Sequence, residues 1–306
     1  MAPPLSEAQT ADFAHQGWLR VPGLLAPDTI GHVMDQLAPC REITGKLDDL
    51  WMASQAVRRV AAAPEVAAVL TQLYDARPTP FQTLNFVRGS EQALHADDIH
   101  FDSVPPGRMC GVWVAFEDVG PEQGPLLVVS GSHRIEQLRP DHVLSALRPF
   151  RYDEYERTVH DAVAGMATTT LTASAGDVIV WQAGLVHGGA PVAREGSSRW
   201  SQVTHYVLDG SPCITPMRSP GMPDTMALRE GLVDITDGRR VPPTLDGRPA
   251  RLLRVGGGMA KLLPAGAPAP PLRLRAASFA RGVVVGTRRH VASARHRSRC
   301  RKLLEL

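Results

Sequence analysis

The sequence predicts a mainly β fold, a sandwich or jelly roll, with flanking α-helices. From about residue 80 the chain breaks into short extended apolar runs separated by glycine and proline turns. It lacks the regular helix–strand alternation of a doubly wound parallel sheet. The stretch before residue 80 places its apolar residues at helical spacing instead.

The elements follow in order. Ser6 with Gln9 has capping-box spacing and predicts a short first helix. Gly17 to Pro22 reads as a short extended piece. Pro27 suits the first turn of a second helix, with Ile30, Val33, Met34 and Leu37 on one face. A further helix follows Pro64, with Val66, Val69, Leu70 and Leu73 as its buried stripe. The predicted strands are Phe81–Val87, Cys110–Glu117, Leu126–Val129, Thr168–Thr172, Val178–Gln182 and Trp200–Leu208. Two short helices are expected within Ile135–Gly165, placed to cover the mouth of a jelly roll. After about residue 215 the pattern weakens: Pro242-Pro243, Gly256-Gly257-Gly258 and Pro264 to Pro271 read as loop or linker.

Composition narrows the class further. The 306 residues are 43% hydrophobic and 21% charged, which excludes collagen, a long coiled coil and a wholly disordered chain. No apolar run approaches the ~20 residues of a membrane-spanning helix, so no membrane partner is expected. The first twenty residues lack the apolar core of a signal peptide. Four separated cysteines make neither a disulfide framework nor a zinc ribbon, and a reducing cytoplasm is the expected location. The net charge of +2 averages two unlike regions: residues 272–306 carry +9 and the remainder −7. Arg-rich tails bind phosphates nonspecifically, but Phe279 is this tail's single aromatic residue. It reads as a solvated terminal segment rather than a nucleic-acid arm. The Gly256–Lys261 spacing is not that of a phosphate-binding loop.

The chemistry concentrates in a few positions. In His95-Ala96-Asp97, side chains at i and i+2 share one face of an extended segment and can hold one metal. His187 is the best third ligand. It follows an apolar strand and precedes Gly188-Gly189, where backbone can pass close to a site. Two histidines and one carboxylate form the facial triad of non-haem Fe(II) oxygenases, with the opposite positions open. Arg199 and Ser201 follow on the next predicted strand, on a common face. A guanidinium fork with a hydroxyl suits the distal carboxylate of 2-oxoglutarate. Asp98, His100 and Asp102 lie in the loop after the HxD pair, bordering a substrate or solvated and bonded to their own backbone. His133 reads as structural and His205 as a packed strand residue.

At this point the chain resembles the phytanoyl-CoA dioxygenase family of Fe(II)/2-oxoglutarate oxygenases. The resemblance runs from about Gly17 to Asp209. It rests on Gly17–Gly23 (GWLRVPG), Leu94–Phe101 (LHADDIHF), Gly111–Arg134, Gly176–Gly189 (GDVIVWQAGLVHGG) and Ser198–Tyr206 (SRWSQVTHY). It implies a double-stranded β-helix core (jelly roll, cupin-like) behind N-terminal helices. On that basis residues 1–215 form the dioxygenase domain, helical over 1–79 and jelly roll over 80–215. Residues 216–306 are then a C-terminal extension ending in the basic tail, 272–306. The resemblance also implies Fe(II) held by His95, Asp97 and His187, with 2-oxoglutarate and O2 as cosubstrates. It places Arg199, helped by Ser201, on 2-oxoglutarate, and adds Gln82 and Trp113 to the cosubstrate pocket. Asp97 itself argues for an oxygenase, because halogenating relatives lack that carboxylate.

Two other classes compete. A zinc-dependent hydrolase could use the same three ligands, but it leaves Arg199 and Ser201 without purpose. A catalytically silent jelly-roll binding protein is the second. The excess of arginine over lysine, with abundant alanine and proline, suggests a GC-rich bacterial coding bias. That favours a small-molecule substrate in natural-product (antibiotic) biosynthesis. The sequence sets neither the substrate nor the oligomeric state.

Overall fold

The computed structural model describes residues 5–147, 149–219, 225–229, 231–245, 247–256, 259–263, 301, 302 and 304. Helix α1 (Glu7–Gln16) begins at the predicted capping box: the Ser6 hydroxyl accepts from the Gln9 amide, and the Gln9 side chain accepts from the Ser6 amide. It ends at Gly17, whose φ of 84° suits a residue without a Cβ. Strand β1 (Trp18–Val21) leads to α2 (Pro27–Leu37), with proline in its first turn. Then come β2 (Lys46–Asp48), α3 (Gln55–Ala61) and α4 (Pro64–Tyr74). Helix α3 was not expected; its seven residues are too few for a periodic signal.

The expected strands form within two residues of their predicted starts, except that β3 (Pro78–Phe86) begins three residues earlier. They continue as β5 (Met109–Ala115), β6 (Leu126–Val129), β7 (Thr168–Leu171), β8 (Val178–Gln182) and β10 (Ser201–Leu208). Four short strands were not foreseen: β2, β4 (Asp102–Ser103), β9 (His187–Gly189) and β11 (Cys213–Ile214). Helices α5 (Pro140–Ala146) and α6 (Tyr152–Ala162) fall in the insertion between β6 and β7.

The strands make two main sheets, the pattern of a jelly roll. The larger runs in the order β1-β8-β5-β10-β3-β2 and the smaller β7-β6-β9, with every pairing antiparallel. Period-two alternation gives the larger sheet two buried faces. Trp113, Ala115, Ile179, Trp181 and Val203 face the smaller sheet and pack with Leu126, Val128 and Leu171. Val112, Val114, Val178 and Val180 face the other way, against the stripes of α2, α3 and α4. The N-terminal helices therefore act as a backing layer. No helix is long and apolar enough to cross a membrane among the described residues.

Part of the segment expected as loop is ordered into strands. Met259–Leu262 pairs antiparallel with both Thr225–Ala227 and Leu252–Gly256. These strands are only three to five residues long, which leaves little alternation to detect in the sequence. The Pro264–Pro271 stretch, Gly257, Gly258 and nearly all of the basic tail, 272–306, lie outside the described residues.

Strand β9 fits between β6 and the loop of residues 90–94. A Cβ on Gly188 would stand 2.7 Å from the Gln92 carbonyl oxygen, a backbone atom. Gly188→Ala is expected to lower stability by about 1–3 kcal/mol through overpacking. A urea unfolding midpoint equal to wild type would show that the facing loop moves aside freely.

Candidate metal centre and its cavity

His95 and His187 are paired backbone to backbone. Each amide donates to the other's carbonyl at 2.9 Å, forming an isolated antiparallel bridge. Such a pair projects both side chains to the same side, and the two imidazole centroids stand 4.5 Å apart. Ala96 is extended (φ −113°, ψ 144°), so Asp97 shares a face with His95 before the chain turns into a 3-10 helix at Asp97–Ile99. One ligand atom from each of His95, Asp97 and His187 lies within 4.8 Å of the others, and all three residues are buried.

The hydrogen bonds leave the correct atoms facing inward. Nδ1 of His95 lies 2.9 Å from the Ala93 carbonyl oxygen, and Nδ1 of His187 lies 3.0 Å from that of Leu185. A carbonyl only accepts, so both Nδ1 atoms carry a proton, which leaves Nε2 as the nitrogen each ring can offer to a metal. Those Nε2 atoms stand 3.8 and 3.9 Å from Asp97 Oδ1. The other carboxylate oxygen is engaged elsewhere: Oδ2 accepts from the Trp181 indole at 2.8 Å and lies 3.4 Å from His205 Nε2. Burial, with His187 nearby, lowers the His95 pKa to about 3, which keeps it neutral. Burial pushes the Asp97 carboxyl up, but His187, His205 and His95 outweigh it and hold Asp97 well below the usual carboxylate range.

A cavity of about 310 Å³ opens from these three residues. Arg199 lines it and is 1% exposed, yet among the described residues it has no carboxylate within ion-pair distance. Its Nη1 donates to the Gly124 carbonyl at 2.7 Å, while Nε has no partner. Burial lowers its pKa to about 10, so it remains a cation at neutral pH. Gln82 and Trp113 also line the cavity, and the buried Trp113 Nε1 is without a partner. Three histidine and aspartate ligands beside donors that lack an acceptor fit a divalent metal with an acceptor-rich anion.

Other expected residues are placed differently. Ser201 does not line the cavity; its hydroxyl donates to the Arg199 carbonyl. Of the loop residues Asp98, His100 and Asp102, only His100 lines it, with its Nε2 3.1 Å from the Tyr152 hydroxyl of α6. The 3-10 turn carries the two aspartates away. Asp102 is buried and accepts from the Ser103 amide at 2.7 Å. His205 is a packed strand residue as read, but it also lines the cavity and touches Asp97. Its signal was period-two parity with Val203, the other cavity-lining residue of β10. Lys46, Phe101, Tyr152 and Trp181 are among the further wall residues that were not foreseen. His133 lies away from the cavity, with Nε2 3.3 Å from the Ala14 carbonyl oxygen.

The family profile described as phytanoyl-CoA dioxygenase (PhyH) matches residues 30–199, more than half of the chain and all three ligands. The chain belongs to the phytanoyl-CoA dioxygenase family. Phytanoyl-CoA dioxygenase domain-containing protein 1 of Danio rerio is 34% identical over 80 residues, which is 25% of this chain and 28% of that protein. The match thus spans little more than a quarter of this curated relative. Among solved structures, the carbocyclase SnoK from nogalamycin biosynthesis aligns with TM-score 0.57 and 18% identity, covering 68% of this chain and 86% of SnoK. The epimerase SnoN, in complex with Fe3+, alpha ketoglutarate and nogalamycin RO, aligns with TM-score 0.55 and 21% identity, covering 79% and 96%. At these identities both neighbours bear on the fold of this phytanoyl-CoA dioxygenase family member.

Two predictions test the geometry. Trp181→Phe removes the donor on Asp97 Oδ2 and is expected to weaken metal binding about 10- to 100-fold, measured by nickel titration calorimetry. An unchanged affinity would show that the indole does not orient the carboxylate. Burial raises the Asp102 pKa to about 6 from 3.8. Its neutral form favours the fold below the unfolded value, and that contribution is lost as pH rises through about 6. Asp102→Asn should therefore unfold at higher temperature than wild type at pH 8, with the gap closing toward pH 4. A gap independent of pH would refute the buried-acid account.

Proposed function

We propose that the chain is an Fe(II)- and 2-oxoglutarate-dependent dioxygenase that oxidises a C–H bond of a small molecule, by hydroxylation or oxidative cyclisation. The observation carrying this reading is one cavity lined by both the buried His95–Asp97–His187 ligand set and the buried, unpaired cation Arg199. A zinc hydrolase has no need of that cation.

In this reading His95, Asp97 and His187 hold iron, and Arg199 binds the distal carboxylate of 2-oxoglutarate through a charge-assisted pair. When bound, iron with 2-oxoglutarate and O2 supplies the oxidising power for C–H cleavage, with succinate and CO2 as coproducts. The protein's own part is placement and exclusion of water. Phe86, Trp113, Leu126 and Val203 give the cavity an apolar wall around its few polar groups. Low local dielectric strengthens the hold of Arg199 on an anion. Trp181 and His205 occupy Asp97 Oδ2, which directs Oδ1 toward the metal.

A second cleft of about 690 Å³ shares His100 and Phe101 with the metal cavity and is walled by Trp51, Met52, Met217 and Leu232. The inner cavity is small once a cosubstrate is seated, so we place the body of the substrate in this outer cleft. The assignment to bacterial natural-product biosynthesis and to the cytoplasm belongs to this proposal. The biosynthetic role is supported by the coding bias and by the SnoK and SnoN neighbours, and the cytoplasm by the four separated cysteines.

The test is succinate formation with ferrous iron, 2-oxoglutarate and O2. Asp97→Ala is expected to abolish it, and Arg199→Met to raise the KM for 2-oxoglutarate at least about tenfold through loss of a charged hydrogen bond. Near-normal turnover by Asp97→Ala, or activity with zinc alone, would remove the assignment.

A further inference from the structure

Arg229 lies beyond the stretch that matches the family, in the C-terminal segment next to Leu228. Its guanidinium is seated against two rings, with Cζ 4.6 Å from the centroid of Phe101 and 5.2 Å from that of Phe81. Stacking of this kind fixes the plane of the group. From there Nη2 donates to Gln82 Oε1 at 2.6 Å. Arg229 lines the outer cleft, while Gln82 and Phe101 line the metal cavity. The residue therefore stands at the boundary between the two.

The chemistry of this contact is directional. A guanidinium has only donors, so it can face only the oxygen of the Gln82 amide. The amide's NH2 end is then left for the cavity. We propose that Arg229 is a positioning residue for the anionic cosubstrate: it holds Gln82 so that the cavity receives a donor rather than an acceptor. Together with Arg199 and the indole of Trp113, this makes a set of donors suited to a dicarboxylate. Without Arg229 the amide can turn over and set its carbonyl oxygen against a carboxylate. The idea rests on the dioxygenase reading above, and it makes a residue outside the family match part of the cosubstrate site.

The experiment uses the full-length chain loaded with nickel, and 2-oxoglutarate as the probe, with affinity read by calorimetry. Arg229→Met and Gln82→Met are each expected to weaken binding about tenfold, the scale of one hydrogen bond. The double variant should be no weaker than either single one, because Arg229 acts through Gln82. Arg229→Lys, which is also donor-only, should recover most of the loss. Gln82→Glu keeps Arg229 partnered but offers the cavity only acceptors, and should weaken binding at least as much as Gln82→Met. Wild-type affinity in Arg229→Met, wild-type affinity in Gln82→Glu, or multiplied losses in the double variant would each overturn the proposal and leave the dioxygenase reading standing. Failure of the wild-type protein itself to bind 2-oxoglutarate would overturn both.

Discussion

The two backbone hydrogen bonds between His95 and His187 are the constraint on which the site depends. They fasten the loop carrying the HxD pair to the smaller sheet, and they bring together residues from distant parts of the sequence. Direct opposition in an antiparallel bridge sets the two imidazoles side by side before any metal is considered. Each ring is then locked by the carbonyl two residues before it, Ala93 or Leu185. The three-residue strand β9 needs only enough length to make this bridge, and its glycines let the Gln92 backbone come close.

The molecule treats its buried charges in two ways. Asp177 is fully served: it pairs with Arg20 at 2.6 Å and accepts from the amides of Gly23 and Ser174. That contact ties β1 to the turn before β8 and reads as structure. Arg199 is left with a single carbonyl, and Asp97 keeps one oxygen facing the two Nε2 atoms. Burying polar groups without full satisfaction is costly. At this cavity a metal and an anion would remove that cost.

Strands β5, β8 and β10 were legible because buried runs such as Val178–Gln182 are continuous and end at glycine or proline. The ligand triad was legible because HxD carries its own period and His187 sits beside two glycines. For Asp98 and Asp102 the sequence left open a substrate border or bonding to their own backbone. A 3-10 turn begins at Asp97, neither residue lines the metal cavity, and Asp102 bonds the Ser103 amide. His205 was hidden by its dual character, a core residue on one strand whose ring also meets Asp97. Arg229 had no local signal at all. Its role depends on a pairing between segments far apart, Gln82 in β3 and a loop after β11, which no periodicity reports.

Helix α6 joins two tasks through neighbouring tyrosines. Tyr155 is buried, and its hydroxyl accepts from the Ala96 amide at 2.9 Å, between the first two ligands. One turn earlier, Tyr152 meets His100 at the cavity wall. The helix that lines the metal cavity through Tyr152 is therefore also the brace of the ligand-bearing loop. Changes that reshape the cavity wall through this helix will loosen the grip on the metal, so cavity shape and metal retention have to be altered together.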